Sequence, residues 1–553
     1  MPRHPAVVVL WTLGALALGV TTLGLVGFAL PSRVAACGGF MCVSFSQPIT
    51  QTGENIVFSV EDDGSIEAHV QVFYQGPADE FAWIVPTPSL PTLAVGTDAL
   101  FAQLELATAP RFQTVGTQTG TCRAEPECRF ESGIAPPSAR DMGRSFSDAA
   151  SGPVDVAFRG NVGPYDAAVL SATDSAALYA WLDEYDYLIP DEARPEIDAY
   201  VARGSYFVAL RLQKDRAVGE IQPIVLRYAS GEPCIPIRLT RIATVDDLPV
   251  RAYFLASSGF RSTNYTMLTP DFDDDAGLFL GSRTYESLVT NAVDDAGGRA
   301  FVTDYLGAPP TLSLELRSIE ALRATTDLRA FLAQLLGLGF TADTQLLALL
   351  TRVIPLPDGV EPTSFFNCLI SPRCPSDVGV LAALGFRPSE LVDAINAAII
   401  APRTHAQRVV ERHATLTRLY TTMSAADMTE DPVFYPSPGA RPVSNVHTAT
   451  RVTECAPAYR LQDAPQKLVL PSGRETVTRV GIVFRDTDES ICRASGMELA
   501  RRGCSTSPGT PSGVATALSF GAMSLGALAL RVSLRRAAAR RAQRRSAPPP
   551  RCS

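Results

Sequence analysis

An α+β fold is predicted for this chain of 553 residues. The expected plan is a mixed, strand-rich N-terminal domain followed by a mainly helical one, flanked by an N-terminal signal and a C-terminal membrane helix. Three observations predict it. Apolar residues alternate with period two through "GENIVFSVEDDGSIEAHVQVFYQG", the signature of half-buried strands. From about Ile319 the apolar period becomes helical. Both ends pair an apolar run with arginines and contain no Asp or Glu. The expected divisions are a signal peptide at 1–36, strand-rich domain at 37–310, helical domain at 311–430, strand-containing segment at 431–503, stalk at 504–513, membrane or sorting helix at 514–534 and basic cytoplasmic tail at 535–553.

The first element, "MPRHPAVVVLWTLGALALGVTTLGLVGFALPSRVAAC", has a basic start, an apolar run from Ala6 to Leu30, a break at Pro31 and a small-residue end. That order is the order of a secretory signal. Val34-Ala35-Ala36 offers a signal-peptidase site before Cys37. The run also has the length of an uncleaved anchor. Val-Ala-Ala-Cys fits a lipobox that would place a lipid on Cys37, although Arg33 sits where lipoprotein signals are normally uncharged.

In the body, Ile56, Phe58 and Val60 and then Ile66, Ala68, Val70, Val72 and Tyr74 mark two strands, with Asp63-Gly64 as their turn. "EFAWIVPTP" reads as a buried strand ended by Pro86 and Pro88. Asp98 caps a short helix carrying Leu100, Phe101 and Leu104, closed by Pro110. "CRAEPECRFESGIAPPSARDMGRSFSDAASG" is polar and non-periodic, so a loop is expected. A helix from Asp174 to about Tyr187 follows, then strands at "SYFVALRLQ", "IQPIVLRY", "CIPIRL" and "VRAYFLAS". Irregular alternation of strands and helices favours α+β over a doubly wound sheet. Short apolar helices are expected at "TTDLRAFLAQLLGLGF", "TADTQLLALLTRVI", "DVGVLAALGF" and "RPSELVDAINAAII". A long helix is expected through "THAQRVVERHATLTRLYTTM", and a hairpin-like pair at "KLVLPSG" and "TVTRVGIVFRD".

The tail from Val514 to Leu534 would reach about 30 Å as a helix, roughly one hydrocarbon core. Arginines at 535, 536, 540, 541, 544 and 545 would hold its far end in the cytoplasm; a basic amphipathic surface helix is the alternative. Gly503-Cys504-Ser505, this run and the arginine pairs resemble the C-terminal sorting signals of myxobacteria. The resemblance implies cleavage near the Cys by a sorting protease and transfer to the cell surface.

Charge excludes one function class. Without the ten arginines of the two ends, 38 basic residues face 57 acidic ones. Such a body repels a phosphate backbone, so no nucleic-acid partner is expected. Only Lys214 and Lys467 are lysines, leaving few candidates for Schiff-base chemistry.

In an exported body the cysteines read as disulfides. Cys37 and Cys42 would close a small ring; Cys122 with Cys128 and Cys368 with Cys374 each span five residues including Pro, and local bridges are expected. Which two of Cys234, Cys455 and Cys492 pair stays open.

"ACGGFMC", "VQVFYQGPADEFAWIVPTPSLPTLAVGTDALFAQLELATAPRF" and "TRLYTTMSAADMTEDPVF…VSNVHTA" together resemble the bacterial family catalogued as domain of unknown function 2330, over Cys37 to roughly Ala449. The resemblance implies secreted or membrane-tethered envelope proteins, without an assigned activity or cofactor.

The chain has no H-E-x-x-H, G-x-S-x-G, S-x-x-K or P-loop. His69, on the polar face of its strand, is expected in solvent, and His405 and His413 on the surface of their helix. His447 lies in a motif with Ser444 and Asn445, where a loop-stabilising hydrogen bond is favoured over catalysis. Asp271, Asp273 and Asp275 alternate as in an EF-hand loop, but Ala276 and Ser282 occupy the positions of its Gly and bidentate Glu. They make a weak calcium candidate, and a solvated acidic turn is expected. If cleavage freed Cys37, its thiol and amine would resemble an N-terminal nucleophile; Cys42 argues for a disulfide instead. The sequence-level expectation is an exported structural or binding module of unknown ligand, with an envelope hydrolase as the alternative.

Overall fold

The computed structural model describes residues 50–75, 82–123, 155–172, 174–185, 187, 189–213, 221–229, 232–371 and 384–483. The chain divides into two compact units, 1–125 with 132–485 and 126–131 with 486–553. The second lies outside the described residues, as do the signal at 1–36, the stalk, the helix at 514–534 and the tail. Among the described residues no helix is long and apolar enough to cross a membrane.

The fold is α+β and is organised by an eight-stranded mixed sheet. Its spatial order is β12 (Thr266–Leu268), β13 (Ala300–Gly307), β14 (Thr415–Met423), β10 (Leu248–Ala256), β1 (Thr50–Val60), β2 (Ser65–Gln75), β9 (Ile224–Ala229) and β4 (Thr92–Val95). The β1–β2 hairpin forms as its alternation predicts, with Gly64 at φ 82° in the turn. A smaller antiparallel sheet has the order β3 (Ala82–Thr87), β8 (Tyr206–Leu212), β7 (Tyr165–Ser171) and β6 (Asp155–Val162). Pro86 lies inside β3 rather than ending it. β3 is an edge strand, where a missing N–H is tolerated. A third sheet has the order β18 (Glu475–Arg479), β17 (Gln466–Val469), β16 (Val446–Glu454) and β5 (Arg111–Thr119), and β11 (Gly259–Ser262) pairs with β15 (Phe434–Ser437).

The main core lies between the first two sheets. Ile56, Phe58, Ala68, Val70, Leu226 and Phe254 from the large sheet meet Trp83, Val85, Val169, Val208 and Leu210 from the small one. The other face of the large sheet is covered too. Val57, Tyr253 and Leu255 pack under helices α1 (Asp98–Thr108) and, named here in chain order, α11 (Ala401–Glu411). Between these two helices the chain forms α2 (Ser175–Glu184), α3 (Arg194–Ala202), α4 (Ile237–Thr240), α5 (Ala276–Leu280), α6 (Tyr285–Asp295), α7 (Leu328–Gly337), α8 (Thr344–Val353), α9 (Pro362–Ile370) and α10 (Pro388–Ile395). α2 and α3 back the small sheet, whereas α7 to α10 build a separate apolar cluster. In α7, Leu328, Phe331, Leu332 and Leu335 recur on one face, and the Asp327 carboxylate caps the Ala330 N–H.

Three elements differ from the sequence expectation. The "CIPIRL" run makes a bridge at Cys234 and then α4, not a strand. The long helix stops at Glu411, and "TLTRLYTTM" becomes β14, inserted between β10 and β13. Threonines at 415, 417, 421 and 422 and Tyr420 supply β-branched and aromatic side chains that suit a strand. The predicted helical domain 311–430 therefore ends in a strand of the main sheet. Finally, α10 passes into α11 through a π-turn at Asn396–Ile400. Pro402 has no N–H for the carbonyl of Ala398. That carbonyl instead accepts Nε2 of Gln222 (2.7 Å) and of Gln345 (3.1 Å).

Candidate functional site

Alternation along β1, β2 and β9 creates two chemically different environments on opposite faces of one sheet. Glu54, Ile56 and Phe58, Ala68 and Val70, and Leu226 and Tyr228 line a cavity of about 300 Å³ beside the inter-sheet core. Trp83 and Val85 close it from the small sheet, and Tyr200, Cys234 and Asp431 add polar atoms. Its exposed lining residues Pro88, Arg203 and Glu232 mark the mouth.

Two carboxyls in this cavity are perturbed. Glu54 is 4% exposed and accepts one hydrogen bond, from Gln51 Nε2 at 3.1 Å. Burial, which outweighs that bond, pushes its carboxyl up to about 7. Asp431 is also buried, and desolvation raises it, opposed by the Tyr200 hydroxyl (2.8 Å) and the Arg238 N–H (3.2 Å). Cys234 is a free thiol, and burial pushes it far up, so it stays protonated.

On the opposite face, Glu67, His69 and Arg227 sit side by side on β2 and β9 under α11. His69 is 0% exposed, against the expectation of a solvent-facing residue. The reason is that α11 covers this face and brings His405 down onto it. Glu67 Oε1 lies 2.7 Å from His69 Nε2 and 2.5 Å from His405 Nε2. Its Oε2 accepts from Arg227 Nε at 2.8 Å. Desolvation opposes ionisation of Glu67, but His405, His69 and Arg227 together hold it well below the usual carboxylate range. Burial lowers His69, which is therefore neutral. His413 joins a neighbouring group: its Nε2 is 2.7 Å from Ser59 Oγ, which also bonds Glu61, while Arg412 pairs with Glu61 and Ser59. Neither His405 nor His413 is a free surface residue.

The other sequence candidates meet one another. His447 Nδ1 lies 2.9 Å from Asp273 Oδ1, and its ring stacks on Phe112 at 4.9 Å. Asn445 of the same motif donates to the carbonyls of Ala107, in the last turn of α1, and Ala109, its C-cap. The acidic run does not converge as a calcium loop: Asp273 faces His447, Asp275 caps Gly277 N–H and pairs with Arg283, and Asp274 pairs with Arg474. Asp271 is exposed and opens the 3-10 turn at Phe272–Asp274.

The cysteine expectations need two corrections. Cys122 is bonded to Cys455, 333 residues away, not to Cys128, and Cys455 therefore pairs with neither Cys234, which is free, nor Cys492. β5 and β16 run parallel in register from Arg111↔Val446 to Glu454↔Thr119, so the residues just beyond both strands meet. Gly120, at φ 72°, allows this approach, because a Cβ there would collide with the Cys455 carbonyl. Cys368 is disulfide-bonded. Cys37, Cys42, Cys128, Cys374 and Cys492 lie outside the described residues.

The comparison with protein families gives one match: a family described as an uncharacterized protein conserved in bacteria, DUF2330, over residues 31–307, half of the chain. No curated protein and no solved structure matches.

Proposed function

The chain belongs to the bacterial DUF2330 family, and from that premise we propose an exported, envelope-tethered binding module whose inter-sheet cavity takes a small, mostly apolar ligand with a cationic or hydrogen-bond-donating head. The observation that carries the binding reading is the cavity itself. Its volume falls at the lower end of the range for small-molecule sites. Its walls are largely apolar, and Glu54 stands among them with one side-chain hydrogen bond satisfied. A carboxyl balanced near neutrality can accept from a donor or ionise opposite a cation.

Support for export comes from the two ends of the sequence and from the Cys122–Cys455 bond, which suits an oxidising compartment. In this reading signal peptidase cuts after Ala36, and the membrane contact is the segment at 514–534, cleaved near Cys504 if a sorting protease acts. The hydrolase alternative would rest on Cys37 or His447. His447 is held between Phe112 and Asp273 as a loop fastener, so binding is the better-supported role.

Trp83 lines the cavity and reports on it. Small aryl-alkyl amines should shift its emission and raise the melting temperature, whereas carboxylates of equal size should not. Ala68→Phe, which fills the cavity, should abolish both effects in a folded protein. Equal responses to amines in wild type and the filled variant would overturn the assignment. For location, mass spectrometry of the mature termini decides: an intact Met1 sinks the cleaved signal.

A further inference from the structure

We infer that Glu67, His69 and His405 form a binding site for a divalent first-row transition metal such as zinc, separate from the inter-sheet cavity. Their ligand atoms all lie within 4.8 Å of one another. Two imidazole nitrogens and a carboxylate oxygen are the donor set suited to zinc and its neighbours, with a further coordination position open.

The inference rests on hydrogen-bond accounting around one atom. His405 Nε2 lies 2.5 Å from Glu67 Oε1 and 2.9 Å from Arg227 Nη2. A guanidinium nitrogen can only donate. If His405 Nε2 accepts from Arg227 it carries no proton, and its lone pair then faces the carboxylate lone pair at close range. If Nε2 carries a proton for Glu67, that proton faces the donor of Arg227. No tautomer satisfies both contacts. A cation seated between Nε2 of His69, Nε2 of His405 and Oε1 of Glu67 turns the opposed lone pairs into ligands, and Arg227 Nη2, losing Nε2 as an acceptor, must then turn outward from it. Arg227 Nε keeps its bond to Oε2 and so orients the carboxylate from outside, as outer partners of metal ligands do.

Metal binding needs both imidazoles neutral and the carboxyl ionised, and it releases any proton these groups share. The backbone fits: Glu67 and His69 are two apart on β2 and point to one side of the sheet. His405 is 28% exposed while the other two are buried, so solvent and an incoming ion reach the cluster at His405.

Two features set the strength. His69 Nδ1, beside Gly96, has no hydrogen-bond partner, so one ligand lacks its usual outer support. Glu61 and Glu67 are matched by Arg412 and Arg227, so no surplus negative field attracts the ion. Micromolar rather than nanomolar affinity follows.

The test uses the full-length protein, stripped with chelator and titrated with zinc by calorimetry and with cobalt(II) by visible absorption. One equivalent should bind with micromolar affinity, and cobalt should develop the intense bands of a low-coordinate nitrogen/oxygen site. His405→Ala, a partly exposed position, should weaken binding roughly ten-fold or more and remove the bands, while His447→Gln leaves both unchanged. Thermal unfolding of the variants establishes that they are folded. If His405→Ala is not folded, Glu67→Gln is read in its place. No uptake by the folded wild type, or uptake that His405→Ala or Glu67→Gln leaves intact, overturns the site. Loss of the Trp83 response to amines would bear on the cavity alone, so the two readings fail separately.

Discussion

Replacing Glu54 by Gln isolates a single buried carboxyl in the cavity. The side chain keeps its shape and can still accept from Gln51 Nε2, but it no longer ionises. In the folded protein burial raises Glu54 from 4.5 to about 7. The folded state therefore holds a proton that the unfolded chain has lost between these values, and stability falls as pH rises through this window. The full penalty, reached above the folded value, is the two-to-three-unit shift multiplied by about 1.4 kcal/mol per unit, or about 3 kcal/mol. Glu54→Gln should match wild type within about 1 kcal/mol near the unfolded value and exceed it by about 3 kcal/mol one unit above the folded value. Urea unfolding of both proteins at these two pH values, with the difference taken at each, cancels every other titrating group. A difference that does not change with pH would refute the burial argument, as would a wild type more stable than the variant at the higher pH. The same protonation should link to ligand: an amine that binds beside Glu54 should release a proton near neutrality, visible as buffer-dependent heat.

Non-reducing peptide mapping should recover Cys122 linked to Cys455, and Cys122→Ser should cost about 3–5 kcal/mol because the bridge closes a very long loop; a Cys122–Cys128 peptide would contradict the strand register. Arg418→Met should cost about 3–5 kcal/mol, since it leaves Asp304 buried without its 3.0 Å partner, and adding Asp304→Asn should recover much of that loss in urea unfolding. Asn445→Ala should cost about 1–3 kcal/mol, because two carbonyls at the end of α1 lose their donor. Thermal unfolding checks it, with the Trp83 response to amines unchanged.

What the sequence could and could not say follows from how far apart cause and effect lie along the chain. The alternation of Ile56, Phe58, Ala68 and Val70 is local, and it correctly marks the face that meets the small sheet. The same alternation puts His69, with Glu67, on the polar face, and a polar face implies solvent for His69. What buries them is α11, more than three hundred residues later, and no local pattern encodes that docking. One local signal is present: Pro402, four residues after Ala398, has no N–H for that carbonyl, which marks an irregularity just before the helix bearing His405. The spacing of Cys122 and Cys128 misled for a similar reason. Five residues suit a local loop, but parallel pairing of β5 with β16 offered Cys122 a partner held in place by the sheet. The helix read into "TLTRLYTTM" came from extending the preceding period past His413, although its four threonines already favoured a strand.

The family match raises a question of completeness that the topology answers. The matched residues end at Gly307, the last residue of β13. In the sheet, β13 does not touch β10; β14 lies between them and pairs with both. Without β14 the strands β12 and β13 would lose their connection to the sheet, and two long rows of backbone N–H and C=O groups would be left unpaired. Arg418 of β14 is also the partner of Asp304 on β13, so a chain cut after the match loses that ion pair together with the strand. Residues 31–307 are therefore not a self-sufficient domain. The β1–β2–β9 core holds Glu54, Glu67, His69 and Arg227, whereas His405 and Asp431 arrive from beyond the match. Each candidate site is built mostly by the family region and completed by residues beyond it, Asp431 at the cavity and His405 at the histidine cluster, which makes the closing strand and the helix before it part of any functional account of this chain.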